Sequence, residues 1–234
     1  MAAARSSAAR RPPLSRERVL RAAIALADDG GIESLTMRGL GQALGVEAMS
    51  LYHHVANKED LLDGMVDVVV GDIVVPPSGT PWRTAMRARC LSAHAILLAH
   101  PWAAPQITSR LSIGPGMTRY LDATLGRLRE GGFSIEGALD AWNTLDSHLY
   151  GFTLQELNLP FEVEESAEVS AAVLPQIPPD EFPYVAEVLG HVMAHGRRED
   201  FAFGLDLILD GLEQRLAAAL HDVAHDPRRD PAGA

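Results

Sequence analysis

Residues 36–58 read TMRGLGQALGVEAMSLYHHVANK, and this stretch decides how the N-terminal part of the chain folds. Its first half has one apolar face at helical spacing, formed by Leu40, Ala43 and Leu44. Thr36 precedes this segment as an N-cap residue. Gly45 is the residue type that ends a helix in the left-handed conformation, and Val46 is an apolar plug after the turn. The pattern predicts a short helix followed by a tight turn.

The second half of the stretch predicts another helix with an unusual outer surface. Leu51 and Val55 are one turn apart and hold this helix against the first. The side chains left pointing outward are Ala48, Met49, Ser50, Tyr52 and His53. Apolar and aromatic side chains presented together to water mark a docking surface. The arrangement is that of a helix-turn-helix, whose second helix enters the DNA major groove.

A wider stretch resembles a known family. Residues 14–72, with RVLRAAIALADDGG, LTMRGLGQALGV and SLYHHVANKEDLL, are similar to the N-terminal domain of tetracycline-repressor (TetR) family regulators. Residues 131–156 (GGFSIEGALDAWNTLDSHLYGFTLQE) and 201–220 (FAFGLDLILDGLEQRLAAAL) resemble, more loosely, the ligand-binding domain of the tetracycline repressor's own branch.

This resemblance implies a set of DNA-binding residues. The positions that face bases or the groove are Ala48, Met49, Ser50, Tyr52 and His53, and those that hold phosphates are Thr36, Arg38, His54 and Lys58. The chemistry agrees, because the free N–H groups at a helix start favour an anion. Met49 suits a thymine methyl, and Ser50 suits a base edge. The alternative is that these are solvated positions of a packing motif.

The charge of the chain is divided unevenly along its length. The formal net charge of the 234 residues is −11, but residues 1–60 carry eight basic and seven acidic side chains. The acidic excess lies beyond residue 60 and would be repelled by phosphate. DNA contact is therefore expected from the N-terminal end, where the one lysine of the chain, Lys58, follows the recognition helix.

Composition predicts a cytoplasmic protein without a membrane span. Apolar residues make up 47% of the chain, but its best apolar run, MVDVVVGDIVV, is broken by Asp67 and Asp72. The N-terminus MAAARSSAARRPP lacks the apolar core of a signal peptide. A single cysteine, Cys90, excludes an intrachain disulfide and suits a reducing compartment.

Helical periodicity and proline-rich breaks predict an all-α chain with five parts. They are a flexible arm (1–13), a three-helix helix-turn-helix domain (14–60), a connecting helix and linker (61–80), an effector-binding and dimerisation domain (81–222) and a flexible tail (223–234). Within the body we predict helices over 81–99, 104–112, 115–130, 134–157, 181–195 and 199–221. Residues 158–183 are acidic, contain five prolines and predict a long loop.

Polar residues within apolar surroundings point to a candidate effector site. A buried Asp146 would need a partner, and Arg89 lies on an otherwise apolar helical stripe. By resemblance, the positions that line the family's effector cavity are Arg89, Leu121, Trp142, Asn143 and Asp146. Two alternatives remain open here: a buried Arg–Asp pair without a ligand, or a polar seam between two copies.

The sequence predicts no catalytic, cofactor or metal site. Where the tetracycline repressor has a magnesium-binding histidine context, the matching residues are Thr108 and Ser112, so that drug–magnesium chelate is not expected. The pairs His191/His195 and His221/His225 have i, i+4 spacing but no third ligand, which predicts solvated or interface histidines. No nucleophile or acid–base motif is present, so an enzyme is not expected.

These observations predict a homodimeric, effector-responsive repressor that binds double-stranded operator DNA and a small molecule. The dimer is expected to form through segments 134–157 and 199–221, packed as a four-helix bundle. The apolar stripe proposed for that seam consists of Phe201, Leu205, Ile208, Leu209, Leu212 and Leu216. The alternative function is a helical sensor of a ligand or partner protein that acts as an activator or binds DNA secondarily.

Overall fold

The structure is a computed structural model that describes residues 13–110, 113–160, 165–196 and 200–224. The described residues form α-helices and short 3-10 turns and contain no β-strand, which confirms the all-α prediction. The helices are α1 (Arg16–Gly30), α2 (Met37–Leu44), α3 (Ala48–Leu51), α4 (Lys58–Gly71), α5 (Trp82–Ala99), α6 (Ala103–Ser109), α7 (Pro115–Glu130), α8 (Ile135–Leu157), α9 (Ser166–Val173), α10 (Pro183–His195) and α11 (Phe201–Ala224).

The helix starts follow the cap residues that the sequence offers. Ser15, Thr36 and Ser134 each accept a hydrogen bond from a backbone N–H in the first turn of α1, α2 and α8. One prediction was wrong in part, because the expected loop 158–183 contains α9 and a following 3-10 turn. The flexible arm, apart from residue 13, and the tail from residue 225 lie outside the described residues, as does Ser112.

The chain divides by its contacts into two compact units, and the first contains 13–73 together with 99–120. Its core is built by α1 and α4, which bury one apolar face each, and by the helix-turn-helix; the most deeply buried side chains include Val19, Ala23, Leu40, Leu51, Leu61 and Met65. Arg16 on α1 donates to the His54 carbonyl oxygen at 2.8 Å and pairs with Asp60 on α4 at 2.7 Å. The guanidinium therefore ties the end of the helix-turn-helix to α1 and α4.

Within this first unit, residues 99–120 are joined to α1 and α4 by polar contacts at both ends of α6. The Trp102 indole N–H donates to Asp28 of α1 at 2.7 Å. Beyond the other end of α6, Arg110 pairs with Glu59 at 2.9 Å and with Asp63 at 2.8 Å, both on α4. Although the sequence analysis places this segment in the 81–222 domain, its contacts join it to the first unit.

The start of α7 is fixed to α4 by one carboxylate. Asp67 accepts from the backbone N–H groups of Gly116 at 3.0 Å and Met117 at 2.8 Å. An acidic group at a helix N-terminus satisfies free donors and complements the helix dipole. A side chain on Gly116 would collide with the Asp67 backbone oxygen, so the close approach requires glycine.

The second unit contains 74–98 and 121–224, and its core lies among α5, α7, α8 and α11. Three ion pairs join α5 and α11 on the surface: Arg83 with Asp210 at 2.5 Å and with Glu213 at 3.5 Å, and Arg87 with Asp206 at 2.8 Å. Across the described residues, no helix combines the length and hydropathy that a membrane crossing requires.

The apolar stripe proposed for the dimer seam is mostly used inside the protomer. Phe201, Leu205, Leu209 and Leu212 are buried in the second unit, while Phe203 and Leu207 of the same helix are 66% and 57% exposed. Four of the six residues predicted for the seam therefore belong to the core of the protomer, whereas Ile208 and Leu216 are half-buried. Periodicity did not separate this stripe from the second apolar stripe of α11, which contains Phe203 and Leu207.

Candidate DNA-binding surface and effector site

The turn between α2 and α3 has the geometry that its sequence predicts. Gly45 adopts the left-handed conformation (φ 69°, ψ 38°), and its N–H bonds back to α2. Gly41 is equally constrained, since an added Cβ would lie 2.9 Å from the Val46 carbonyl oxygen and 3.2 Å from the Ala48 nitrogen. The backbone of α2 therefore touches the start of α3, and glycine at position 41 sets how close they come.

The side chains expected to read DNA divide into exposed and half-buried ones. Met49 is 73% exposed and Tyr52 44% exposed, and His53 is also exposed. Ala48 and Ser50 are half-buried. Leu51 and Val55 are buried, as their spacing predicts. The exposed surface therefore consists of a thioether, a phenol and an imidazole, and the buried Leu51 and Val55 hold this segment against the rest of the unit.

Two details of the helix-turn-helix differ from the sequence prediction. Ala43 is exposed, so the apolar face of α2 consists of Leu40 and Leu44. The regular helix α3 ends at Leu51, and Tyr52 and His53 belong to a turn closed by a bond from the His54 N–H to the Leu51 carbonyl oxygen at 2.8 Å. Periodicity detects the buried pair but not the point where regular hydrogen bonding stops.

The residues expected at phosphates lie at helix starts or beside them. Thr36 caps α2 through its side-chain oxygen, and Arg38 is exposed in the first turn. Lys58 is the first residue of α4, is exposed and follows the cap residue Asn57. Arg38 and Lys58 form no ion pair with any described residue. Both cations therefore stand next to backbone N–H groups that favour an anion.

His54 contributes through its backbone as well as through a half-buried side chain. Its carbonyl oxygen accepts from Arg16, and the Arg16 guanidinium holds the pKa of the Asp60 carboxyl below its usual range. Asp60 also accepts from the Ala56 N–H at 2.8 Å. This network fixes the chain between the recognition segment and α4.

The candidate effector site contains a buried ion pair. Arg89 on α5 is fully buried, and its guanidinium lies 2.6 Å from the carboxylate of Asp146 on α8. Burial raises the pKa of the Asp146 carboxyl, and the charge of Arg89 and the indole of Trp142 oppose that rise. Burial also raises the pKa of the neighbouring Tyr150 phenol. The sequence expectation that Asp146 needs Arg89 is confirmed as a contact.

The other three predicted effector residues are not in one environment. Leu121 and Trp142 are half-buried, whereas Asn143 is exposed. Asn143 lines a groove between α8 and α11 together with Ile208 and Arg215. Thr108 is one of the two residues that match the magnesium-binding context of the tetracycline repressor. Its hydroxyl donates to the Ala104 carbonyl oxygen within α6.

An aromatic cluster between α5, α8 and α11 was missed by sequence reasoning. The Phe201 ring is stacked between two imidazoles, His94 at 4.2 Å and His148 at 4.9 Å between ring centroids. His94 also contacts Glu156 at 2.8 Å. The three rings come from helices that are far apart in sequence. The one sequence feature that could have indicated the cluster is an aromatic or imidazole side chain on an apolar helix face.

Two family models match this chain and together cover most of it. Residues 19–65 match the model described as bacterial regulatory proteins, tetR family. Residues 75–216 match the model described as Tetracyclin repressor-like, C-terminal domain. The second match alone spans more than half of the chain.

Individual relatives agree with these models. The tetracycline repressor protein class D of Escherichia coli is 30% identical over 91% of this chain and 95% of its own length. An HTH-type transcriptional regulator of Saccharopolyspora erythraea is 33% identical over 60% of each chain. The crystal structure of the TetR family protein ActR from Streptomyces coelicolor in complex with actinorhodin has a TM-score of 0.70 and 28% identity, covering 89% of this chain and 99% of ActR.

Proposed function

Because this chain belongs to the tetracycline-repressor (TetR) family of ligand-responsive transcriptional regulators, we propose that it acts as a homodimeric repressor that a small-molecule effector releases from a palindromic operator. Its place of action is the cytoplasm, where the operator is accessible. The observation that carries the proposal is the exposed surface of Met49, Tyr52 and His53, flanked by Arg38 and Lys58 at two helix starts.

Operator symmetry follows from the size of this surface. One recognition segment reads only a few base pairs, so two copies must dock on one face of the duplex. The exposed apolar side chains Phe203 and Leu207 on α11 and Leu139 on α8 support a seam built from these two helices. A hollow of about 300 Å³ between α8 and α11, lined in part by Leu216 and Leu220, offers further apolar surface to a second copy. Asn143 then belongs to the seam.

The effector is expected to be an uncharged molecule of aromatic size. Arg89 is already paired with Asp146, so the positive charge of the guanidinium is balanced by the carboxylate and the pair has no net charge. An anionic ligand would have to break that pair, which is costly at a buried site. Trp142 supplies a flat apolar surface and Tyr150 a hydroxyl group. ActR, which shares this fold, is known with actinorhodin bound.

Release of DNA is expected to pass through α4 and the segment 99–120. This segment is continuous in sequence with α5 and α7, which carry Arg89 and Leu121. It contacts α4 at two points: Arg110 pairs with Glu59 of α4, and the Met117 N–H donates to Asp67 of α4. An effector that binds the DNA-incompetent state more tightly shifts the population toward it. A ~100-fold preference corresponds to about 2.7 kcal/mol of coupling.

The test is a gel-shift titration with the protein's own upstream DNA over a range of salt concentrations. Lys58→Ala is expected to weaken binding and to lower the salt slope by about one unit, because one phosphate contact is lost. Arg119→Ala, which removes an exposed cation on α7, is the matched control and should leave both unchanged. Absence of any shift for the parent protein at moderate salt would refute operator binding.

The effector site is tested with a compound that releases the parent protein from that DNA. Trp142→Ala should keep operator binding and require more compound for release, since the apolar wall is lost. Gln155→Ala, exposed on the same helix and outside the residues proposed for the effector site and the seam, should respond like the parent. Equal release by the parent and Trp142→Ala would place the effector elsewhere.

A further inference from the structure

Two imidazoles lie against each other near the end of α10. His191 and His195 are one helical turn apart and both exposed, and their ring centroids are separated by 4.5 Å with an angle of 27° between the planes. His195 is the last residue of the helix, and Gly196, which follows it as the C-cap, has a positive φ. The two rings therefore point to the same side of the helix.

The hydrogen bonding of His195 fixes which of its nitrogens is available. Its Nδ1 lies 3.1 Å from the His191 carbonyl oxygen. A carbonyl oxygen only accepts, so Nδ1 carries the hydrogen, and the neutral ring leaves its lone pair on Nε2. Histidines that bind metals are oriented by this kind of bond from the non-ligating nitrogen. His195 is thus held in the form that binds a metal through Nε2.

We propose that His191 and His195 form a two-imidazole chelate for a borderline divalent transition ion such as Zn²⁺ or Ni²⁺. Neutral imidazole suits these ions, whereas Mg²⁺ and Ca²⁺ prefer oxygen. The position at the end of α10 adds to the attraction, because the carbonyl end of a helix carries a partial negative charge. Among the described residues no group of three or more His, Cys, Asp or Glu side chains is placed to hold a metal ion, and the chelate proposed here uses two protein ligands.

The consequence of ion binding is expected in α10 itself. The helix has 13 residues and no buried side chain, and its packing partners include α9 and the 3-10 turn at 174–176. Helices of this length are marginal without tertiary packing. A chelate that spans one turn binds the helical form and stabilises it by mass action. At an ion concentration ten times the dissociation constant, this linkage predicts about an 11-fold slower exchange of the α10 amides.

The experiment uses the full-length, tag-free protein titrated calorimetrically with ZnCl₂ and, separately, NiCl₂. His191→Gln and His195→Gln remove one ligand each, and His53→Gln removes an exposed histidine outside α10 as the matched control. The parent and the control should bind one ion per chain with equal affinity. Each α10 variant should bind at least 10-fold more weakly, and MgCl₂ should produce no comparable heat.

Hydrogen exchange of residues 183–196 with and without ZnCl₂ provides the second measurement. Slower exchange in the parent and no change in His195→Gln are expected. An ion held elsewhere, for example at His53 and His54, would leave α10 exchange unaffected and overturn the proposal. Unchanged affinity in both α10 variants would overturn it as well.

Discussion

Replacing Asp146 by asparagine is expected to destabilise the second unit far more than replacing a carboxylate in an exposed ion pair. Asp146→Asn removes the carboxylate charge that lies 2.6 Å from the fully buried Arg89 guanidinium. Removing one partner of a buried pair costs about 3–5 kcal/mol. For a chain of this size, about 2–4 °C of melting temperature corresponds to each kcal/mol, so Tm should fall by roughly 6–20 °C.

The matched control is Asp206→Asn, which breaks the pair with Arg87. That pair also joins α5 to a carboxylate on a neighbouring helix, at 2.8 Å, but both side chains are about 40% exposed. Solvent screening limits its contribution to less than about 1 kcal/mol, so Tm should fall by less than about 4 °C. Both variants are measured by thermal denaturation at one protein concentration, because dimerisation makes Tm depend on concentration.

A double variant distinguishes the effect of an unbalanced charge from the effect of lost packing. Arg89→Met with Asp146→Leu removes both charges and fills the space with apolar groups, and should regain most of the lost stability. If Asp146→Asn and Asp206→Asn lowered Tm equally, burial of the pair would not be the cause and the reasoning would fail.

Three further changes test other parts of the structure. Gly41→Ala should weaken operator binding about 5- to 150-fold, because its Cβ meets the Val46 carbonyl oxygen and overpacking costs about 1–3 kcal/mol; Gly126→Ala, whose Cβ meets no neighbouring atom, should bind like the parent in the same gel shift. Leu207→Arg should give folded monomers in sedimentation, and a persistent dimer would exclude its side chain from the seam. Asp60→Asn should lower Tm slightly at pH 7, because Arg16 lowers the folded-state pKa of Asp60. That contribution is present above the unfolded pKa of about 3.9 and is lost as the pH falls through the folded value, so the two Tm curves should converge in acid; a constant gap would contradict it.

The helix-turn-helix was predictable because its information is local. Thr36, Gly45, Leu51 and Val55 each act on residues within a few positions, and all four behave as their type and spacing predict. The Arg89–Asp146 contact was predictable for a different reason, since a charge on an apolar face must find its opposite.

What escaped prediction depends on contacts between distant residues. Nothing near position 41 shows that the backbone at Val46 will approach it. The two apolar stripes of α11 have the same residue types, so Leu209, which serves the protomer's core, and Leu207, which is left outside, look alike in sequence. The helix α9 is only eight residues long and lies within a segment whose prolines and acidic residues favour a loop, so its short helical periodicity was not recognised.

The attachment of residues 99–120 to the first unit bears on how regulators of this kind are recombined. A chimera joined after residue 73 would leave Asp28, Glu59 and Asp63 facing a foreign segment and lose the partners supplied by Trp102 and Arg110. A graft that carries residues 99–120 with the DNA reader, and exchanges 74–98 and 121–224, keeps these pairs together. The useful splice points for giving this DNA reader a new sensor are therefore three. The first follows residue 73, in the predicted linker, and the other two follow residues 98 and 120, inside the predicted sensor domain 81–222.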